Sequence, residues 1–176
     1  NDPYYPGMWN LPHMNVNTAW DTTRGSSSVL IAVIDTGCDR THPDLAANVW
    51  VNAGEIPSNG IDDDSNGYVD DVSGWDFVNL DNNPEDTYGH GTPCSGIIAA
   101  VQDNNLGVTG IAPLCKFVPL KASNDQGLLF DSSVVPALLS AGDSGAKVIS
   151  MSSYGDDVPP AERDAASLRP PLPRRR

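Results

Sequence analysis

The sequence predicts an α/β protein, a three-layer sandwich with a mostly parallel sheet, and two observations carry that prediction. Short apolar runs rich in β-branched residues read as strands buried on both faces, and helical patterns alternate with them. A chain that repeats strand, helix, strand makes parallel pairs through crossover helices, which gathers reactive side chains at the C-terminal ends of the strands.

Residues 29–35, Val-Leu-Ile-Ala-Val-Ile-Asp, are the first strand, ended by the turn formers of Asp35-Thr36-Gly37. The first helix is expected over residues 93–101, with Thr92 as N-cap and Pro93 at the first position, where a missing N–H costs nothing. Residues 116–121, Lys-Phe-Val-Pro-Leu-Lys, are the second strand, in which Pro119 is tolerable only if its absent donor faces a bulge or an edge. A second helix is expected over residues 132–141, closed by Gly142, and a third strand over residues 146–152.

Charge narrows the partners. The 176 residues hold 23 acidic and 10 basic side chains, a net of -13, which repels phosphate backbones and excludes nucleic acid while favouring cations. Nothing approaches the ~18 consecutive apolar residues of a membrane span, so no membrane partner is expected. The oligomeric state is not legible. Residues 1–155 carry 19 acidic and 5 basic side chains, whereas residues 156–176 carry 4 and 5, with five prolines and a terminal Arg174-Arg175-Arg176. Residues 1–155 therefore read as the folded unit and 156–176 as a Pro/Arg-rich tail, expected to be disordered because it offers little apolar surface against its ordering entropy. Three cysteines, Cys38, Cys94 and Cys115, are an odd number without a C-x-x-C pair, which argues against a disulfide framework and against zinc. The chain begins at Asn1 with no basic-then-apolar leader, so any signal peptide or pro-segment is expected to have been removed or omitted.

An Asp at a strand end, such as Asp35, is by itself an ordinary turn former. Gly89-His90-Gly91-Thr92 changes that reading, because a His between two glycines at a helix start is poor core filling: the glycines add no packing and weaken the helix end. Asp and His in this order look like two thirds of a Ser-His-Asp triad. Val33-Ile34-Asp35-Thr36-Gly37, His42-Pro43-Asp44-Leu45, Gly89-His90-Gly91-Thr92, Gly110-Ile111-Ala112-Pro113 and Val148-Ile149-Ser150-Met151-Ser152, in that order, resemble the subtilisin-like serine proteases of the thermitase and proteinase K group. The resemblance covers most of residues 1–155, the N-terminal part of such a catalytic domain. It implies a subtilisin-like fold and a secreted serine endopeptidase acting on polypeptide in extended conformation. Asp35 would orient the imidazole and His90 would be the general base. The family's oxyanion-hole Asn motif and its Gly-Thr-Ser-Met-Ala nucleophile motif do not occur in these residues. The fold is therefore expected to be truncated and the chain inactive by itself. The alternative from another class is a non-catalytic, calcium-binding protease remnant. Gly142-Asp143-Ser144-Gly145 spells another family's nucleophile motif, but it falls in an α-to-β connection at the wrong end of the sheet.

Ca²⁺ is the expected cofactor. Asp62, Asp64, Asn66 and Gly67 reproduce the first, third, fifth and sixth positions of a D-x-D-x-[DN]-G loop, and Asp70 follows closely. Ser73 stands where an EF-hand has its bidentate Glu, so the frame is non-EF, with a solvated acidic loop as the alternative. The resemblance implies two further sites: Asp2 and Asp44 with loop 101–108, and Asp76, Asp81 and Glu85, where Asn79 replaces an expected Asp. It also implies two substrate-pairing edges, Gly127-Leu128-Leu129 and Ser152-Ser153-Tyr154-Gly155, and places Cys94 beneath the His90 ring.

Overall fold

Every residue of the first strand is buried, and this sets the architecture. In the computed structural model, which describes residues 1–152 and 160–167, two short helices, α1 (Asn10–His13) and α2 (Val16–Trp20), lead to β1 (Leu30–Asp35). There follow β2 (Trp75–Asp76), α3 (Gly91–Ala99), β3 (Lys116–Lys121), α4 (Asp131–Asp143), β4 (Val148–Met151) and α5 (Pro160–Ser167). The sheet runs β2-β3-β1-β4 with every pair parallel.

Side chains alternate across a strand, so β1 feeds two cores. Ile31 and Val33 meet Phe117, Leu45, Ala99 and Ala100 on the α3 side. Ala32 and Ile34 meet Val118, Leu120, Val134 and Leu138 on the α4 side. Helix, sheet and helix thus form the three layers expected of the sequence.

Pro119 sits inside β3 at little cost. Lys116 and Ala122 donate their N–H groups to Val29 and Asp35, so even-numbered residues bond toward β1 and the Pro119 nitrogen points the other way. There β2 begins only at Trp75, opposite Leu120, and no ladder bond is lost.

Three local expectations shift. α3 starts at Gly91 rather than Pro93, because its first N–H groups are taken by side chains from elsewhere in the chain rather than by Thr92. α4 passes through Gly142 and stops before Gly145, whose φ of 79° supplies the left-handed turn, with Ala146 N–H donating back to the Ala141 carbonyl. Residues 160–167, expected within a disordered tail, form α5, which packs along α4 and buries Ala165 in the core. Pro160 opens that helix where its missing donor is harmless.

Candidate active site

Asp35 ends β1 with its side chain 3% exposed, at the C-terminal edge of the sheet. α3 begins one residue after His90, and the two elements approach closely only because Gly91 has no side chain. A Cβ there would collide with the Gly37 carbonyl and lie 3.1 Å from the Asp35 Cβ. The approach brings His90 Nδ1 to 2.7 Å from Asp35 Oδ1. A carboxylate accepts, so Nδ1–H donates and Nε2 is left as the basic nitrogen, on a ring 47% exposed. The same Asp35 oxygen accepts the Thr36 N–H at 2.7 Å, while Oδ2 is buried with no hydrogen-bond partner among the described residues.

Among the described residues the ring's other polar neighbour is Cys94, whose Sγ lies 3.8 Å from both nitrogens. Burial pushes the Cys94 thiol up, against a lowering hydrogen bond to Ser152 at 3.8 Å. A carboxylate bonded to one imidazole nitrogen, a basic second nitrogen with only the Cys94 sulfur near it among the described residues, and a βα frame that sets them together are the parts that proton transfer at a ring nitrogen requires.

The family model described as the Subtilase family matches residues 26–168. The chain belongs to the subtilase family. Thermitase of Thermoactinomyces vulgaris is 36% identical over 156 residues, 88% of this chain and 48% of the relative. The thermophilic serine proteinase of Bacillus sp. (strain AK1) is 38% identical over 153 residues, 86% of this chain and 33% of the relative. Subtilisin-like protease 1 of Plasmodium berghei is 41% identical over 131 residues, 73% and 22% respectively. The chain thus spans about half or less of the length of the curated relatives it matches.

This subtilase gathers some of its expected cation ligands and scatters others. Asp62 and Asp64 each bring a carboxylate oxygen within 4.8 Å of one another and of Glu55, a 6% exposed residue that the sequence pattern did not single out. Asp62 accepts the N–H groups of Asn66 and Gly67, and the Asn66 amide bridges Asp64 and Asp71. Asp71 is pushed up to about 6, mainly by burial, although amide hydrogen bonds from Asn52 and Asn66 pull the other way. Asp70 is turned aside, accepting from the Asn59 and Gly60 backbones, while its own N–H donates to Glu55 Oε2. An all-oxygen set of three carboxylates on one loop suits a hard cation such as Ca²⁺.

Asp2 and Asp44, both buried, are joined through the loop expected to complete their site. Asp2 accepts the Asp103 and Asn104 N–H groups, and Asp44 accepts the Asn104 side-chain amide and the Val108 N–H. The backbones of Asp76 and Asp81 bridge each other, but their carboxylates and that of Glu85 do not converge: among the described residues the converging side-chain groups are Asp35-His90-Cys94 and Glu55-Asp62-Asp64. Asp76 is fully buried against Lys121 at 3.3 Å and the Asn79 amide at 3.0 Å, so its charge is already answered. Asp81 accepts from the Asn83 backbone.

Gly127 and Leu128 lie on a tight turn that pairs back on Asn124, with Gly127 at φ 77° against the Tyr88 ring, two residues before His90. Leu128 is exposed. Ser152 follows β4 beside Cys94, whereas Ser153, Tyr154 and Gly155 lie outside the described residues. Ser144 caps the far end of α4, its hydroxyl donating to the Ser140 carbonyl at 2.8 Å.

Sequence reasoning also passed over Asp86. Its Oδ1 accepts from Thr36 Oγ1 and the Gly89 N–H, and its Oδ2 from the Thr92 N–H. Burial raises its carboxyl, but these donors outweigh it and hold the group below the usual range. The available signal was an acid a few residues before a helix start.

Proposed function

We propose that this chain carries the Asp-His part of a secreted, calcium-stabilised serine endopeptidase. The observation that supports it is the 2.7 Å contact between Asp35 Oδ1 and His90 Nδ1, which leaves Nε2 as the basic nitrogen of a ring 47% exposed. His90 Nε2 takes the proton of a serine hydroxyl as that oxygen attacks the scissile carbonyl, then returns the proton to the leaving amine. Asp35 stays ionised, holds the tautomer and stabilises the imidazolium. The substrate is a polypeptide in extended form, laid between the turn at Gly127 and Leu128 and Ser152, with Ser153, Tyr154 and Gly155 included among the proposed substrate-binding residues. Cation binding by Asp2 with Asp44, and by Asp62, Asp64 and Asn66 with Glu55, belongs to the same proposal, as does an extracellular setting. Bound Ca²⁺ would supply charge neutralisation to these loops.

The 176 residues alone are proposed to be inactive, since a triad without its nucleophile keeps only residual catalysis. The test has two arms. A fluorophosphonate probe applied to the chain should label no serine; stoichiometric labelling, Ser144 included, overturns this part. In a chimera, residues 26–150 replace their counterparts in thermitase, whose own sequence supplies the remainder. It should cleave a denatured protein, and His90→Ala should lower kcat/KM by ~10³-fold or more. Undiminished cleavage by the His90→Ala chimera sinks the assignment.

A further inference from the structure

The strongest feature outside the Asp35-His90 contact is a closed ring of hydrogen bonds that joins the two residues a second time. Thr36 follows Asp35, and its backbone N–H donates to Asp35 Oδ1, the same oxygen that receives His90 Nδ1–H. The Thr36 hydroxyl donates to Asp86 Oδ1 at 2.7 Å and accepts the Gly91 N–H at 2.8 Å. Asp86 Oδ1 also accepts the Gly89 N–H at 2.7 Å, and Oδ2 accepts the Thr92 N–H at 2.8 Å. The backbone on either side of His90 is thus pinned by one carboxylate and one hydroxyl.

We propose that Asp86, acting through Thr36, is a positioning residue that sets the His90 ring against Asp35. Geometry supplies the reason. Asp35 and His90 stand on separate elements, 55 residues apart, and Asp35 bonds the ring through one oxygen only. A single bond fixes a distance and leaves the ring free to swing about it, whereas Gly89 and Gly91 give the flanking backbone more freedom than other residues would. Asp86 removes that freedom by holding the N–H groups of Gly89 and Thr92, and Thr36 ties the same carboxylate to the end of β1. The hydrogen bonds are charge-assisted and lie within the usual short range. The carboxylate also takes one helix N-terminal donor, the Thr92 N–H, that would otherwise be orphaned, a placement favoured by the helix dipole. Its hydrogen bonds go to Thr36, Gly89 and Thr92 and none to the His90 ring, so its action on the chemistry is indirect.

The role rests on the proposed triad, yet its test needs no proteolysis. The 176-residue chain, labelled with ¹⁵N-histidine, is held at about pH 9, where an ordinary imidazole is neutral. The readouts are the downfield Nδ1–H resonance of His90 and the tautomer balance from its ring nitrogens. His13 and His42 serve as internal standards for folding. In Asp86→Asn and in Thr36→Val the His90 resonance should broaden or vanish and its tautomers mix, while the His13 and His42 signals stay as in the parent chain. A sharp, unshifted His90 Nδ1–H resonance in either folded variant overturns the proposal. If Asp86→Asn disturbs His13 and His42 as well, the chain has lost its fold and Thr36→Val, nearly isosteric, decides alone. Loss of the chimera's activity with an intact ring in Asp86→Asn would count against this role and leave the triad reading standing.

Discussion

Cys94 Sγ is equidistant, at 3.8 Å, from the two ring nitrogens of His90. That geometry places the sulfur against the face of the imidazole rather than in line with the Nε2 lone pair, so it supports the ring without forming a thiolate-imidazolium couple. Burial, with the nearby charges of Asp35 and Asp86 adding to it, pushes the thiol up. Iodoacetamide at about pH 8 should therefore alkylate Cys94 several-fold more slowly than a small free thiol, roughly in proportion to its reduced thiolate fraction. Peptide mass spectrometry over a time course measures this, and alkylation at the free-thiol rate would show that the sulfur is activated.

Gly91→Ala should separate the two elements that build the site. The added methyl runs into the Gly37 carbonyl and lies 3.1 Å from the Asp35 Cβ, and neither is the end of a flexible side chain. Relief requires α3 to move off β1, at about 1–3 kcal/mol for an overpacked contact. Denaturant titration should show that loss, together with a displaced His90 resonance. Unchanged stability with an unchanged resonance would mean that the helix start is not tightly docked.

What could be read from the sequence follows the range of the forces involved. β1 was legible because it is buried on both faces, and a chain segment in that setting has to be apolar throughout; Asp35 stood out as the first residue to break the run. His90 was legible from its glycines. The start of α3 was misjudged because its cap comes from Thr36 and Asp86 rather than from the adjacent Thr92. Asp86 and Glu55 carry no local pattern: each acts through donors brought to it by folding, and Glu55 reaches Asp63 and Asp70 across 8 and 15 residues. β2 is two residues long, too short for any periodicity. α5 was missed because its polar composition hides one small buried residue, Ala165, which meets α4.

Cys38 gives the fold an alkaline limit. Burial, reinforced by Asp86 and Asp39, pushes this thiol from 9.0 up to about 12. A group whose folded value is raised contributes stability that is complete below its unfolded value and is lost as pH climbs toward the folded one, here from about 9 to about 12. Three units correspond to at most about 4 kcal/mol. Cys38→Ala leaves a small cavity, at about 1 kcal/mol or more, but has nothing to titrate. The parent should thus be the more stable chain at pH 8, and its advantage should shrink as pH rises through 10 and 11. Denaturant midpoints of both chains across that range check it; a constant gap would show that the thiol ionises in the folded state without cost.

The last prediction concerns the acidic loop. Glu55, Asp62 and Asp64 place carboxylate oxygens within 4.8 Å of one another, and folding without a cation must hold those charges together with only N–H donors and solvent to offset their repulsion. A bound Ca²⁺ turns that repulsion into coordination, and a ligand that binds the folded chain alone adds about 2.7 kcal/mol at a hundredfold excess over Kd. Melting in millimolar Ca²⁺ should therefore exceed melting in EGTA at fixed ionic strength. Glu55→Gln and Asp62→Asn should each raise stability in EGTA, because one repelling charge is gone, and reduce the gain from Ca²⁺. Their opposite effects in the two buffers separate coordination from general screening, which would act on every acidic residue alike. Mg²⁺, which demands a smaller and more regular shell, should give less than Ca²⁺. The Asp2 and Asp44 site provides the internal comparison: Asp2→Asn should remove a part of the Ca²⁺ gain that survives in Glu55→Gln. A chain that melts identically in Ca²⁺ and EGTA would return all of these carboxylates to their present backbone donors as structural turns.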